Sequence, residues 1–374
     1  MLAVKCGKMV NKDGKVVENT VIIVDDGRIA EVGNDVKIPE NSDVIDAASL
    51  WVTPGLIEAH CHAAGELADL NEITSPVNPD ERAFDAISPF MEDIPKIRNA
   101  GFTTVCVLPG SANLIGGSGV VLKIKQARTV DEMAVYGKEP FKMAMGENPK
   151  RVHGMKGKLP STRMGNLALA RRMFIKAQDY MKQKEAGNLE KTDTEMEALL
   201  PVIKGEKRVH IHCHEANDLV NTVKFAREFE LDFTVDHVTQ GEKIAELLAE
   251  NKVICIVGPL LIQSLKKETE GRHHTLPGAL ERAGVEFALS SDEDYGIAYL
   301  PMSVGHFLGY GLSWEMGMRS ITINAAKALQ IDDRVGSLES GKDADMAFFN
   351  GDPLLNTTRC VGTMIDGKFY DKSF

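Results

Sequence analysis

Short continuous apolar runs alternate with amphipathic stretches of helical period through the middle of the chain. The apolar runs are LWVTPGLIEA, FTTVCVLP, PFKMAM, RVHIHC, DFTVDH, VICIVG and VEFALSS. Stretches such as NDLVNTVKFAREFEL and GEKIAELLAEN lie between them. AGFTTV and AGVEFAL open on a glycine, as strands do when they follow a helix C-terminus. Repeated β-α units predict an α/β fold with a parallel sheet. A doubly wound open sheet and a closed (β/α)8 TIM barrel both satisfy that pattern. Polar residues stand at the ends of successive apolar runs, which favours the barrel over residues 53–332.

The two ends of the chain read differently. VVENTVIIVDDGRIAEVG sets β-branched runs between turn signals at Asp26-Gly27 and Gly33-Asn34. MAFFNGD and GTMIDGKFYD repeat the style around Asn350-Gly351 and Asp366-Gly367. Residues 1–52 plus 333–374 are therefore expected to pair into one small composite β-sandwich domain. The Lys-rich stretch 151–207 reads as long helices with a mobile connection; a lid over a site is the alternative.

Composition narrows the partners. Of 374 residues, 43% are hydrophobic and 26% charged, so a full-sized core can be buried. The formal net charge of −11 repels nucleic acid and anionic membrane surfaces, leaving a small-molecule substrate as the expected partner. Six cysteines are scattered without a CxxC pair, and most sit in apolar runs, the pattern of reduced buried thiols. MLAVKCGKMV has no signal-peptide pattern and no run reaches bilayer-spanning length, so a cytoplasmic location is expected.

The candidate chemistry lies in five clusters. In GLIEAHCHA, His60 and His62 share one strand face and Cys61 points the other way. In RVHIHCHEAND, His210, His212 and His214 alternate on one face and Glu215 follows. His237 ends FTVDH, Asp292 opens the acidic run after FALSS, followed by Glu293 and Asp294, and Glu147 closes FKMAMGE. A lone histidine after a strand is usually a hydrogen-bonded structural residue. Several in order at successive strand ends converge on one face of a barrel, where they can hold a metal.

VTPGLIEAHCH resembles the opening of amidohydrolase-superfamily barrels. LPGSANLIGGSG and GENPKRVHG resemble a subgroup related to imidazolonepropionases and prolidase-type enzymes. TINAAKAL followed by DRVGSLESGKDADMAFFNGDPL is similar to the superfamily's closing signature. The resemblance implies a metal-dependent amidohydrolase that cleaves a cyclic or peptide-like amide C–N bond. It implies His60 and His62 as strand-one ligands, His212 and His237 as strand-five and strand-six ligands, and Asp292 as the strand-eight acid. His210 is then structural, and His214 faces substrate or supports a ligand. Many binuclear members bridge two ions with a carbamylated strand-four lysine. Here Lys142 begins that strand and Lys150 lies beyond it, so Glu147 is the expected bridge, with a lysine or no bridge as the alternatives.

The implied cofactor is one or two Zn²⁺ ions, with Mn²⁺, Fe²⁺ or Co²⁺ as substitutes. In the binuclear reading a metal-activated hydroxide attacks the amide carbon, and Asp292 takes its proton and passes it to the leaving nitrogen. In a mononuclear reading, as in deaminases and imidazolonepropionase-like ring hydrolases, Glu215 shuttles protons. A non-catalytic barrel homologue is a third reading. The resemblance allows a homo-oligomer. Smaller candidates are Lys150, Arg151 and His153 as a carboxylate site, and His273, His274, Tyr295 and His306 near substrate. LPGSANLIGGSG is a candidate lining of the site, with a tight turn packed under the barrel mouth as the alternative, and it lacks the Lys-Ser/Thr of a phosphate loop.

Overall fold

The computed structural model describes residues 1–374 apart from 265, 293, 294 and 371, with Tyr295 described in its backbone alone. The calls on Glu293, Asp294 and the Tyr295 side chain therefore lie outside the described residues.

The chain begins with β1 (Leu2–Val10), β2 (Val16–Asp25), β3 (Arg28–Gly33) and β4 (Asp43–Pro54). The turn between β2 and β3 is Asp26-Gly27, with φ of 45° and 78°. Two consecutive positive φ values are what a two-residue hairpin turn demands, and Asp-Gly accepts them. The middle of the chain supplies β5 (Leu56–Cys61), β6 (Phe102–Val107), β7 (Ile115–Ser118), β8 (Val120–Lys123) and β9 (Phe141–Ala144). It continues with β10 (Val209–Cys213), β11 (Phe233–His237), β12 (Ile254–Val257) and β13 (Phe287–Leu289). The end of the chain adds β14 (Met346–Phe349), β15 (Cys360–Ile365) and β16 (Lys368–Tyr370). Asp366-Gly367 turns the last hairpin with φ of 50° and 73°.

The termini do join, in one seven-stranded hydrogen-bonded sheet. Its order is β16-β15-β14-β4-β1-β2-β3. The join is made because β4 pairs in parallel with β1 on one side and antiparallel with β14 on the other. Val4, Ile22, Val52, Met346, Phe348 and Met364 form part of a separate apolar core on this sheet. Gly55 alone separates β4 from β5, and a Cβ there would lie 2.2 Å from the Thr103 hydroxyl oxygen. The terminal sheet thus runs directly into the strand that carries the first histidines.

The middle is mixed α/β. β13-β12-β11-β10-β9-β7 form a six-stranded sheet in which β9 to β13 run parallel. β5-β6-β8 form a three-stranded sheet. β13 lies beside β5, with Ser290 Oγ donating to the His60 carbonyl at 2.8 Å. Among the described residues no continuous ladder closes these two arcs. The reason is visible after β6: β8 pairs antiparallel with it, at the edge where another parallel strand would add. Helices Arg163–Glu185 and Thr194–Ile203 fill the segment after β9, capped by Thr162 and Asp193. No helix among the described residues is long and apolar enough to cross a membrane.

Candidate metal centre

Strand register decides which side chains meet. Lys142 is level with His210, and His210 with Thr234; one pleat on, Ala144 is level with His212, and His212 with Asp236. Partners in a ladder share a face, so these two rows line the inside of the larger arc. His237 is level with Cys213, whose thiol accepts from Thr222 on the helix side. Strict alternation would send His237 outward as well. Its φ of 74° turns the chain off the pleat at the strand end. A left-handed histidine costs free energy and persists only where the surroundings hold it.

Two donor groups result. In His60, His62 and Asp292, one ligand atom from each lies within 4.8 Å of the others. Asp292 Oδ1 is 3.3 Å from His60 Nε2 and 3.5 Å from His62 Nε2. His60 Nδ1 donates to Asp236 at 2.7 Å, and His62 Nδ1 donates to the Leu108 carbonyl at 2.9 Å. Both bonds engage the far nitrogen and turn Nε2 toward the site. Asp292 itself has φ of 55°. The second group is His212, His214 and His237, all buried and meeting the same limit. His214 Nδ1 lies 2.7 Å from Thr239 Oγ1, and His237 Nδ1 donates to the Gly258 carbonyl at 2.8 Å. His237 Nε2 is buried with no hydrogen-bond partner among the described residues. Asp292 Oδ2, 3.7 Å from His237 Nδ1, links the groups.

This donor set fits a divalent transition metal. A buried nitrogen lone pair without a donor is an unmet cost, and a cation coordinated there removes it. Burial holds the His212 and His214 imidazoles well below their ordinary range and also lowers His237. Burial, then Lys142, pushes His60 down to about 3. These rings are neutral at pH 7 and offer lone pairs. Burial opposes ionisation of Asp292, yet His237, His62 and His60 hold its carboxyl well below the usual range. The opposite balance rules at Glu58, which burial raises to about 7 although it accepts from Ser291 N–H, Ser291 Oγ and His60 N–H.

Other expected residues stand elsewhere. Glu147 begins the helix Glu147–Gly154 and its Oε2 accepts from the Glu268 N–H at 3.3 Å, so it belongs to neither donor group. The strand ends at Ala144, and Gly146 at φ 91° turns the chain away before Glu147 is reached. Glu215 pairs with Arg163 at 2.7 Å and also lies outside both groups. His210 is fully buried, 3.4 Å from Asp236. His153 Nε2 contacts Asn113 Oδ1 and is buried, whereas Arg151 is exposed. His274 and His306 contact each other at 3.0 Å. Gly116 and Gly117 of the glycine-rich loop lie in β7.

Sequence reasoning gave His214 only a substrate-facing or supporting place and Lys142 only the start of a strand, and it passed over Asp236 and Glu268; the structure sets His214 in one donor group with His212 and brings the other three beside the groups. Lys142 is buried on the inner row with Nζ 3.0 Å from His60 Nε2, and burial lowers its pKa. The inward register of position 142 with 210 was the available signal. Asp236 could be found by alternation from Thr234, which donates to it at 2.8 Å. Glu268 lies in the 3-10 turn Lys267–Thr269, 3.6 Å from His212 and 3.8 Å from His214, and no local pattern points to it.

Residues 51–370 match the model of a family described as the amidohydrolase family. A crystal structure of an amidohydrolase from Thermotoga maritima MSB8 superposes over all of both chains with a TM-score of 0.95 and 31% identity. An imidazolonepropionase from Shewanella oneidensis is 27% identical over 89% of this chain and 87% of its own length. Amidohydrolase tasK from Hapsidospora irregularis is 28% identical over 92% of this chain, which spans 39% of that longer relative.

Proposed function

The chain belongs to the amidohydrolase family, and on that premise we propose that it hydrolyses a C–N bond of a small cyclic or peptide-like amide at a centre of one or two divalent ions. The two arcs then stand as parts of a (β/α)8-type barrel whose strand tips form the site. The observation that carries the reading is Asp292, set between a His60/His62 pair and His237 with an oxygen toward each.

His60, His62 and Asp292 would hold one ion, and His212, His214 and His237 a second. Zn²⁺ suits these donors, with Mn²⁺, Fe²⁺ or Co²⁺ as substitutes; when bound, such an ion lowers the pKa of its water toward about 7 and polarises a carbonyl. Asp236, Leu108, Thr239 and Gly258 keep four imidazoles turned inward. Asp292 accepts a proton from the attacking water and delivers it to the leaving nitrogen. For the group between the two ions we propose Lys142 in place of Glu147. Its amine is held toward the neutral form by burial, and a neutral amine can take up CO2 to give a carbamate and a proton, as in the binuclear relatives that the sequence resembles.

The test is metal analysis followed by a screen of dipeptides, hydantoins and lactams with the loaded enzyme. Turnover is expected, and Asp292→Asn should keep the fold and lose at least about a hundredfold in kcat, the low end for general acid–base catalysis. Near-wild-type kcat in that variant overturns the assignment. The mononuclear deaminase reading needs a free Glu215, and the Arg163 contact speaks against it. Ammonia release from a nucleobase panel with about one ion per chain would favour it.

A further inference from the structure

Glu268 is a fully buried carboxylate that the reaction as described does not use. It sits in the 3-10 turn Lys267–Thr269, in the segment that follows β12. A charge that deep in the protein is costly unless it is paired, hydrogen-bonded or bound to a metal. Its two oxygens are held differently. Oε2 accepts from the Glu147 N–H at 2.8 Å, and the Glu268 N–H donates back to Glu147 Oε2 at 3.3 Å. This reciprocal pair pins the turn to the start of the helix Glu147–Gly154. Gly146 makes room for the carboxylate, because a Cβ there would lie 2.8 Å from Oε2.

Oε1 is left over. It is buried with no hydrogen-bond partner among the described residues, although Lys266 Nζ stands 2.6 Å away as a charge. Lys266 Nζ donates to Asn148 Oδ1 at 2.9 Å. Oε1 faces two buried imidazoles, 3.6 Å from His212 Nε2 and 3.8 Å from His214 Nε2. Both gaps are too long for a hydrogen bond. They are close to the spacing of two ligands on one ion. With bonds of about 2.0–2.2 Å, the edge of a coordination tetrahedron is about 3.4 Å. The first donor group shows the same spacing, with Asp292 Oδ1 at 3.3 Å and 3.5 Å from the Nε2 atoms of His60 and His62. Glu268 thus stands to His212 and His214 as Asp292 stands to His60 and His62. Asn148 Nδ2 also lies 3.4 Å from His212 Nε2, but its short bond is to Ser111 Oγ at 2.7 Å.

We propose that Glu268 is a ligand of the second ion, bound through Oε1 alongside His212, His214 and His237. The donors are then three imidazoles and one carboxylate, a set that suits Zn²⁺. The carboxylate offsets one of the ion's two charges, and the bond from the Glu147 N–H to Oε2 holds Oε1 in its direction. Occupancy of this ion therefore ties the turn Lys267–Thr269 to the strand tips that carry the histidines. The inference rests on the metal-centre reading and is independent of the bond that is cleaved.

The test titrates metal-depleted wild type and Glu268→Gln with Zn²⁺ against a chelator, and records visible spectra of both proteins loaded with Co²⁺. Glutamine keeps an oxygen for the Glu147 N–H, so the turn stays pinned and only the charged ligand is lost. One Zn²⁺ binding step should weaken at least about tenfold, the low end for loss of a group that supports a metal site. The step held by His60, His62 and Asp292 should not change. The Co²⁺ absorption should shift in position and intensity, which loss of a purely structural contact would not cause. A folded Glu268→Gln with wild-type Zn²⁺ affinity and an unchanged Co²⁺ spectrum overturns the proposal and leaves the metal centre standing. Wild type that binds no transition ion overturns both. If the variant does not fold, an anomalous-scattering map of the Zn²⁺-loaded wild type decides. An ion about 2.0–2.2 Å from Oε1 supports the proposal, and an ion on the histidines with Oε1 beyond about 3 Å overturns it. Glu268-dependent metal binding without any C–N hydrolysis sinks the hydrolase reading and supports the ligand assignment.

Discussion

His60 Nδ1 and Asp236 Oδ2 lie 2.7 Å apart with both side chains shut off from solvent. The carboxylate fixes the proton on Nδ1, so Nε2 faces Lys142 and Asp292 as a lone pair. Burial opposes the charge on Asp236, but His210 and His60 keep it ionised, its pKa held well below the usual range.

That contact sets the first prediction. Asp236→Asn keeps the shape but lets the ring adopt the other tautomer. Metal affinity should fall about 10–100-fold, as it does when a ligand's outer hydrogen-bond partner is removed. A chelator competition titration reads it. Unchanged affinity in a folded variant would show that packing alone orients His60.

Lys142 and Glu147 can be separated directly. Lys142→Ala should lose one of two bound ions and most turnover, since it removes the side chain 3.0 Å from His60 Nε2. Glu147→Gln should keep the metal content, because the Glu147 side chain serves the Glu268 N–H in neither donor group. Elemental analysis of both variants decides, and the reverse result restores Glu147 as the bridge.

Lys123 joins the three-stranded arc to the end of the chain. Its Nζ lies 2.7 Å from Asp343 and 3.2 Å from Asp345, and it also pairs with Asp366. Lys123→Met leaves the buried carboxylates uncompensated and should destabilise the fold by about 3–5 kcal/mol. Denaturant unfolding measures this, and a loss under about 1 kcal/mol, the scale of an exposed pair, would show that water screens the cluster.

Asp345 carries a pH signature. Burial, offset in part by Lys123, raises its pKa from 3.8 to about 6. The folded chain then holds this proton more tightly than the unfolded chain, so the contribution to stability is complete below the unfolded value and lost as pH rises through about 6. Asp366 runs the other way, held low by Lys123 against its burial, and its contribution is lost only as pH falls below the ordinary carboxylate range. Asp345→Asn should therefore gain on the wild type between pH 4 and pH 7, by up to about 3 kcal/mol. Parallel melting curves across that range would remove the assignment.

The amino-acid sequence by itself determined what depends on neighbours along the chain. Period-two spacing put His60 and His62 on one face, and Asp-Gly pairs at 26–27 and 366–367 carry the left-handed φ values that their hairpins need. Apolar runs and amphipathic stretches foretold the parallel strands β9 to β13 and the helices between them. The tertiary structure decided the rest. His237 faces the donor group only because the chain turns left-handed at the strand end, against the alternation that Cys213 obeys. Lys142 reaches His60 across a sequence separation of 82 residues, and Glu268 reaches His212 from a short 3-10 turn. The β8 excursion and the single terminal sheet arise from pairings between distant segments. Local periodicity carries no information about such contacts, because their free energy comes from burial that exists only once the strands are assembled.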